Sequence, residues 1–209
     1  MAGSMTGLVL AGGQASRMRD AGADAPPLQD GQDVDKGLLN LHEQPLVAHA
    51  CAFLRPWVAH MLISANRHAE RYGTYGEVIG DDAGLGCSLG PLAGVERALA
   101  VMQTPWLLVL PVDVVNLPPD LVQQLTCAIE NPAVRIAYAC TPTHAHPLGM
   151  VLHASLWSDL RRYLQEGGRK VRVWLAQQGA APVSFQGADL FFNINTPADL
   201  CYANQCFRS

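Results

Sequence analysis

The chain has 209 residues, the size of a single domain. Hydrophobic residues make up 49% and charged residues only 15%, which gives enough apolar material for a sizeable core and excludes disorder of the whole chain. With 14 basic against 18 acidic residues the formal charge is −4, without the basic excess that general nucleic-acid binding requires.

In chain order, Thr6–Leu10 (TGLVL) reads as a buried first strand that ends in Ala-Gly-Gly. Arg19–Val34 has two prolines, scattered acids and no periodicity, and reads as a loop. Pro45–Leu54 reads as a helix, His60–Ser64 as a second strand, and Asn66–Tyr72 as a short helix capped by Asn66. Glu77–Ile79 reads as a third strand, Pro91–Val101 as a helix with proline at its start, and Trp106–Leu110 (WLLVL) as a buried strand. Pro119–Glu130 reads as a helix, Arg135–Ala139 and Met150–His153 as strands, and Ala154–Glu166 and Arg169–Gln178 as helices. Pro182–Phe185 and Leu190–Phe192 read as short strands, and Pro197–Cys201 starts a last helix. Strands that alternate with helices predict an α/β fold: three layers around a mostly parallel, Rossmann-like sheet.

No apolar run approaches the ~20 residues that span a membrane. Met5–Gly13 is hydrophobic but meets glycines rather than a cleavage site, so no signal peptide is read. Met1–Ser4 is compatible with a cloning remnant ahead of a natural start at Met5. The six cysteines, at positions 51, 87, 127, 140, 201 and 206, form no CxxC pair. Most lie in apolar segments, which predicts reduced, buried thiols, a cytoplasmic location and no zinc site.

In parallel α/β sheets ligands gather at the carboxyl ends of the strands, so functional residues are expected just after strands. Leu10-Ala11-Gly12-Gly13 follows the first strand, with Arg17 beyond it and Lys36 in Asp35-Lys36-Gly37. Two adjacent glycines turn the backbone sharply and aim bare N–H groups outward. Arg17 adds a permanently charged fork for phosphate and Lys36 a second cation. Neither a Walker GxxxxGK[ST] loop nor a GxGxxG fingerprint follows this strand. Asp113 follows WLLVL, at the position of a Mg2+ carboxylate or of an ordinary turn aspartate. Asp81 and Asp82 follow the third strand and Asn66 the second, each also readable as loop or cap residues. Cations, amides and a carboxylate at one edge suit a nucleoside triphosphate with Mg2+.

These residues resemble a known family. LAGGQASRM, DKGLL, ISANRH, VIGDD, GPLAG, LPVD, LPPDL, HPLGMVL, GGRKVRV and NINTPADL occur in order, as in the molybdenum cofactor guanylyltransferases (the MobA family). The resemblance spans residues 5 to 201 and implies one nucleotidyltransferase domain over 5–205, with a nucleotide half (5–115) and a molybdopterin half (116–205). It implies that Leu10, Ala11, Gly12 and Gly13 contact the nucleoside, and that Arg17 and Lys36 face its phosphates. Asn66 and Asp81 then belong to the guanosine pocket, Gly90, Pro91 and Leu92 to its wall, and Asp113 to Mg2+ and GTP. His146, Arg169, Lys170, Asn193 and Asn195 fall in motifs of the molybdopterin side, where the basic pair also reads as a solvated helix start and the asparagines as turn formers. Arg19 stands where the family pattern has glycine, and 16 residues separate Met18 from Asp35, so the phosphate loop carries an insertion.

The implied reaction moves GMP from GTP to the terminal phosphate of molybdenum-molybdopterin, with Mg2+ as cofactor and Arg17, Lys36 and Asp113 as the catalytic set. The implied partners are GTP, molybdenum-molybdopterin, and molybdoenzymes or their chaperones; a monomer is expected. Two other readings stay open on the residues alone. One is a cytidylyltransferase for the same cofactor or a sugar-phosphate nucleotidylyltransferase, since base choice rests on pocket hydrogen bonds. The other is a non-enzymatic nucleotide-binding regulator or pterin carrier.

Overall fold

β1 (Met5–Leu10) is buried along its whole length, the mark of a strand covered on both faces. Met5 and Val9 enter one hydrophobic core and Leu8 and Leu10 another, because successive side chains of a strand point to opposite faces. Leu108 and Leu110 repeat the first choice, and Leu107 and Val109 the second. Apolar runs of this kind therefore build a sheet between two helical layers. The computed structural model of the chain describes residues 5–12, 35–86 and 89–207.

After β1 come a 3-10 turn (Lys36–Leu38), the hairpin strands β2 (Asn40–Leu41) and β3 (Gln44–Pro45), α1 (Leu46–Leu54) and β4 (His60–Ser64). Next are α2 (Ala69–Tyr72), β5 (Glu77–Ile79), α3 (Pro91–Val101), β6 (Trp106–Pro111), β7 (Val114–Val115) and α4 (Leu121–Ala128). The second half adds β8 (Ile136–Cys140), β9 (Ala145–His153), α5 (Trp157–Gln165), α6 (Val171–Gln177), β10 (Ala181–Ser184), β11 (Phe192–Asn193) and α7 (Pro197–Cys206). The central sheet has seven strands in the order β10-β8-β9-β6-β1-β4-β5. One layer carries α1, α4 and α7 through residues such as Val47, Leu125 and Ala203; the other carries α3, α5 and α6 through Leu92, Leu160 and Trp174.

The sheet is mostly parallel, as expected, with β9 antiparallel to both β6 and β8. The reason is the connection: residues 141–144 join β8 to β9 as a hairpin, with Thr141 N–H donating to His144 O at 2.7 Å. Four residues cannot carry the crossover that a parallel neighbour needs. β9 also starts earlier than the Met150–His153 pattern suggests. Its pairing jumps from Tyr138–Met150 to Ala139–His146, so Pro147, Leu148 and Gly149 bulge out where proline has no N–H to give.

Other corrections are local. Asn66 does not cap a helix; α2 starts at Ala69 behind His68, whose φ is +53°. The last short strand is Phe192–Asn193 rather than Leu190–Phe192, because it pairs with β7. Of the described cysteines Cys51 is buried, but Cys127, Cys201 and Cys206 are exposed on α4 and α7, on the faces turned from the core. No helix among the described residues is long and apolar enough to cross a membrane.

Candidate active site

Four strand ends meet at one edge of the sheet. Leu10 pairs with Ser64 and with Pro111, and Ser64 pairs with Ile79. The ladder runs one step further: Ala11 N–H donates to Ser64 O at 2.9 Å, Ala65 N–H to Ile79 O at 3.1 Å and Val112 N–H to Leu10 O at 3.1 Å. Gly12, Asn66, Asp81 and Asp113 thus leave the sheet side by side, which is the clustering that their positions after strands predict. Gly13, Arg17 and the Arg19–Val34 segment lie outside the described residues.

Lys36 joins Asp113 there. Its Nζ donates to Asp113 Oδ2 at 2.6 Å and to Asn195 Oδ1 at 2.8 Å. Asn195 arrives through β11, which pairs antiparallel with β7, and through Ile194 N–H donating to Asp113 O at 2.9 Å. A residue that the resemblance puts on the molybdopterin side therefore touches the phosphate-side lysine. Sequence spacing hides this contact, since 159 positions separate the pair.

The backbone around Lys36 is held from below. The buried Asp35 carboxylate accepts from Gly37 N–H at 3.2 Å and from the Tyr72 hydroxyl. Burial first, and then the Asp35 carboxylate, push the Tyr72 phenol well above its usual range. Gly37 is dictated by this packing: a Cβ there would lie 2.5 Å from Tyr72 Oη and 3.2 Å from Val112 Cγ2.

Asn66 and Asp81 form a reciprocal pair. Asn66 Nδ2 donates to Asp81 Oδ2 at 2.8 Å, and Asp81 N–H donates to Asn66 Oδ1 at 3.0 Å. Further along, Gly90 has φ +72° and ψ −169°, a conformation essentially reserved for glycine, and it lets Pro91 open α3. Gly90 and Pro91 are exposed beside this edge, but the Leu92 side chain is fully buried in the core. Leu92 has no exposed surface, so of the three wall residues only Gly90 and Pro91 reach this edge. Gly94 brings α3 close: a Cβ there would lie 2.3 Å from Ser64 Oγ. The sequence pattern marked GPLAG but gave no reason for its second glycine.

A second cluster lies beyond Asp113. His146 and Asn193 line a cavity of about 610 Å3 with Thr143, Gln186 and Phe192. They also line a smaller cleft of about 140 Å3 that reaches Pro111 and Val114. The His146 ring stacks on Phe191 at 4.4 Å, and its Nε2 is buried without a hydrogen-bond partner. Burial, with the charges of His144 and Arg172, lowers its pKa. Arg169 and Lys170 are elsewhere. Arg169 Nη1 donates to Leu164 O at 2.8 Å and Gly168 O at 2.6 Å, while Lys170 stands just before the first residue of α6 and makes no side-chain capping bond. The basic residue of GGRKVRV that reaches toward the His146 cavity is Arg172, whose Nη2 lies 3.4 Å from Ala145 O. The helix start explains why the sequence reading missed it: Arg172 lies inside α6, whereas Arg169 and Lys170 precede its first residue, Val171.

No group of three or more His, Cys, Asp or Glu side chains placed to hold a metal occurs among the described residues. The oxygen donors that converge are the Asp113 carboxylate and the Asn195 amide, and a cation, the Lys36 ammonium, already lies between them. Such a donor set fits a hard cation that keeps several waters and takes its remaining ligands from phosphate.

Comparisons with known proteins identify the family and the fold. The family model described as MobA-like NTP transferase domain matches residues 7–182. The chain is 38% identical over 205 residues to a molybdenum cofactor guanylyltransferase of Ralstonia nicotianae, covering 94% of each. It is 39% identical over 197 residues to one of Yersinia pseudotuberculosis, covering 94% of this chain and 93% of the other. In fold it is similar to the crystal structure of molybdopterin-guanine dinucleotide biosynthesis protein A from Archaeoglobus fulgidus, with TM-score 0.73, 21% identity, and coverage of 96% of this chain and 97% of that one. The chain therefore belongs to the MobA-like NTP transferase domain family of nucleotidyltransferases.

Proposed function

We propose that this chain transfers GMP from GTP to the terminal phosphate of molybdenum-molybdopterin. The terminal phosphate oxygen forms a bond to the α-phosphorus of GTP, the α–β phosphoanhydride bond breaks, and pyrophosphate leaves. The nucleophile is already an anion, so the protein's work is positioning and charge neutralisation rather than proton removal.

The observation that carries this reading is the Lys36–Asp113–Asn195 cluster at the strand edge, in a chain that relatives named molybdenum cofactor guanylyltransferase match over 94% of its length. Lys36, with Arg17, meets the phosphates and stabilises the leaving pyrophosphate. Asp113 would hold Mg2+, with the Asn195 amide as a further oxygen donor, and Mg2+ would supply charge neutralisation on phosphate oxygens. Leu10 to Gly13 approach the nucleoside through backbone groups, and the Asn66–Asp81 pair and the Gly90–Pro91 turn flank it. The His146–Asn193 cavity receives the pterin, where a flat ring system can extend the His146–Phe191 stack. Arg169, Lys170 and Arg172 add positive charge to that half, of which Arg172 stands nearest the cavity.

The test is transfer of radiolabel from the α-phosphate of GTP to molybdopterin, with CTP in parallel. Transfer from GTP with release of pyrophosphate is the expected result. Transfer from CTP alone would replace guanine by cytosine in the reaction, and binding of GTP without transfer would leave a nucleotide carrier instead of an enzyme.

A further inference from the structure

Glu96 lies on α3 with no exposed surface. A buried carboxylate persists in a fold only when it is paired and hydrogen-bonded. Its Oε1 accepts from Arg161 Nη1 at 2.7 Å and from Trp157 Nε1 at 2.9 Å, both on α5. The same Arg161 nitrogen donates to Asp82 Oδ2 at 3.0 Å. One guanidinium from the second half thus ties residues 82 and 96 together. Those two residues bracket the stretch that leaves β5 and opens α3, and Asp82 directly follows Asp81.

Asp82 is oriented on its other side too, where Oδ1 accepts from Gly84 N–H at 2.8 Å. The Gly84 amide, and then the Arg161 guanidinium, hold the Asp82 carboxyl below its usual range. Arg161 and the Trp157 N–H both meet Glu96 on Oε1, while its Oε2 is buried without a hydrogen-bond partner. The Asp82 arm is different: both side chains keep about three-tenths of their surface exposed, and ion pairs at such sites contribute little stability. What the arm does is fix a place. It ties the loop that carries Asp81 to α5, the helix whose Trp157 and Arg161 also hold Glu96.

We propose that Arg161 is a positioning residue for nucleotide binding: through Asp82 and Glu96 it sets where the Asp81–Asn66 pair and the Gly90–Pro91 turn stand. The assignment rests on the nucleotidyl-transfer reading given above, and it adds a specific consequence. Placement of a pocket wall acts on ground state and transition state alike, so it moves KM and Kd for the nucleotide and leaves kcat in place.

The experiment uses the full chain with Asp82→Asn, Arg161→Gln and the double variant, GTP affinity by titration calorimetry and initial rates of transfer. Asp82→Asn keeps the oxygen that accepts from Gly84 and leaves the Arg161–Glu96 pair intact, so this variant retains its fold. Each single variant should bind GTP about tenfold more weakly, with kcat within about twofold, and the double should be no weaker than Arg161→Gln alone. Should Arg161→Gln unfold with its stranded carboxylate, Arg161→Gln/Glu96→Gln removes that charge and carries the same expectation. Arg161→Lys, which pairs with Glu96 but cannot reach both carboxylates, should keep wild-type stability and lose GTP affinity. Wild-type GTP affinity in folded Asp82→Asn overturns the proposal and leaves guanylyl transfer untouched, as does a loss confined to kcat. If the wild type binds CTP and not GTP, the guanine reading fails, and the positioning role stands or falls on CTP affinity by the same criteria.

Discussion

Lys36 and Asp113 stand 77 positions apart in the chain and 2.6 Å apart in the fold, Nζ to Oδ2. Their side chains are only 14% and 25% exposed. Each sits where the backbone leaves regular structure, Lys36 at a 3-10 turn and Asp113 just past β6. Both side chains keep part of their surface in solvent, so their ion pair adds little to the stability of the fold.

Asp113→Ala should therefore cost function far more than stability. The expected loss in kcat is at least about 100-fold, the scale of removing one preorganised electrostatic contact. Urea unfolding should shift by no more than about 1 kcal/mol, the scale of a partly exposed ion pair. Guanylyl transfer at the wild-type rate by a folded Asp113→Ala protein would remove this carboxylate from the reaction.

Asn195 separates two readings. If its task is to hold Lys36, Asn195→Ala lowers kcat by about tenfold, since a misplaced catalytic group costs rate, and leaves the KM for molybdopterin in place. If instead the amide contacts the pterin directly, KM moves and kcat does not. Steady-state kinetics with each substrate varied in turn distinguishes the two, and the 2.8 Å bond to Lys36 favours the first.

Gly37→Ala tests the packing beneath Lys36. The new methyl would meet Tyr72 Oη at 2.5 Å, and overpacking of a rigid core costs about 1–3 kcal/mol. Tyr72→Phe removes the clashing oxygen but also the donor to Asp35. The double variant Gly37→Ala/Tyr72→Phe should lose less stability than the sum of the singles, because the same hydroxyl causes part of both losses. Strict additivity in urea unfolding would mean that the methyl is accommodated elsewhere.

Much of this arrangement is legible before any fold is known, for identifiable reasons. His60–Ser64, Glu77–Ile79 and Pro91–Val101 match their elements residue for residue; glycines on both sides end Glu77–Ile79, and Gly90-Pro91 fixes the start of the helix. Asp113, Asn66 and Asp81 are legible as edge residues because each follows such a run. The start of β9 is not, since His146-Pro147-Leu148-Gly149 has no strand period and is irregularly paired. The Asn195–Lys36 bond and the Arg161 bridge are also hidden, for an arginine on an amphipathic helix is ordinary until tertiary packing lays Asp82 and Glu96 against it. Half-buried Cys140 and exposed Cys127, Cys201 and Cys206 show the limit of composition: hydrophobic neighbours in sequence do not fix which helix face a thiol takes.

Cys51 gives the fold a pH signature. Burial pushes its thiol from 9.0 up to about 11, against the opposing pull of Arg55. In the unfolded chain the thiol ionises near pH 9 while the native protein still holds its proton. The stabilisation is thus fully present below pH 9 and is lost as pH rises toward 11, at up to about 1.4 kcal/mol per pH unit. Tyr72 adds a similar decline above pH 10 in every variant that retains it. The difference in urea stability between wild type and Cys51→Ala should therefore shrink between pH 9 and 11. A constant difference would place the native thiol pKa near its ordinary value.

His146 lies between the core and the cavity proposed for the pterin, and its chemistry can be divided. The ring supplies a flat apolar face to Phe191, and its buried Nε2 lacks a partner. Burial, His144 and Arg172 all disfavour the protonated ring, so its native pKa is depressed. The corresponding stabilisation is present above about pH 6.5 and is lost as pH falls through the native value, because the unfolded chain takes up the proton first. His146→Phe keeps the stack and removes the orphan nitrogen. That variant should equal or exceed the wild type in stability at pH 7, by up to about 1 kcal/mol, as a buried unpaired polar atom is expensive, and it should lose this part of the acid sensitivity. A pterin, rich in ring nitrogens and an amide, is the kind of ligand that can satisfy Nε2 on binding. Molybdopterin affinity should then fall about tenfold in His146→Phe, the worth of one hydrogen bond in a dry pocket, while GTP affinity stays put. If molybdopterin affinity is unchanged and only the pH profile moves, the pterin lies away from this cavity and His146 is a packing residue alone.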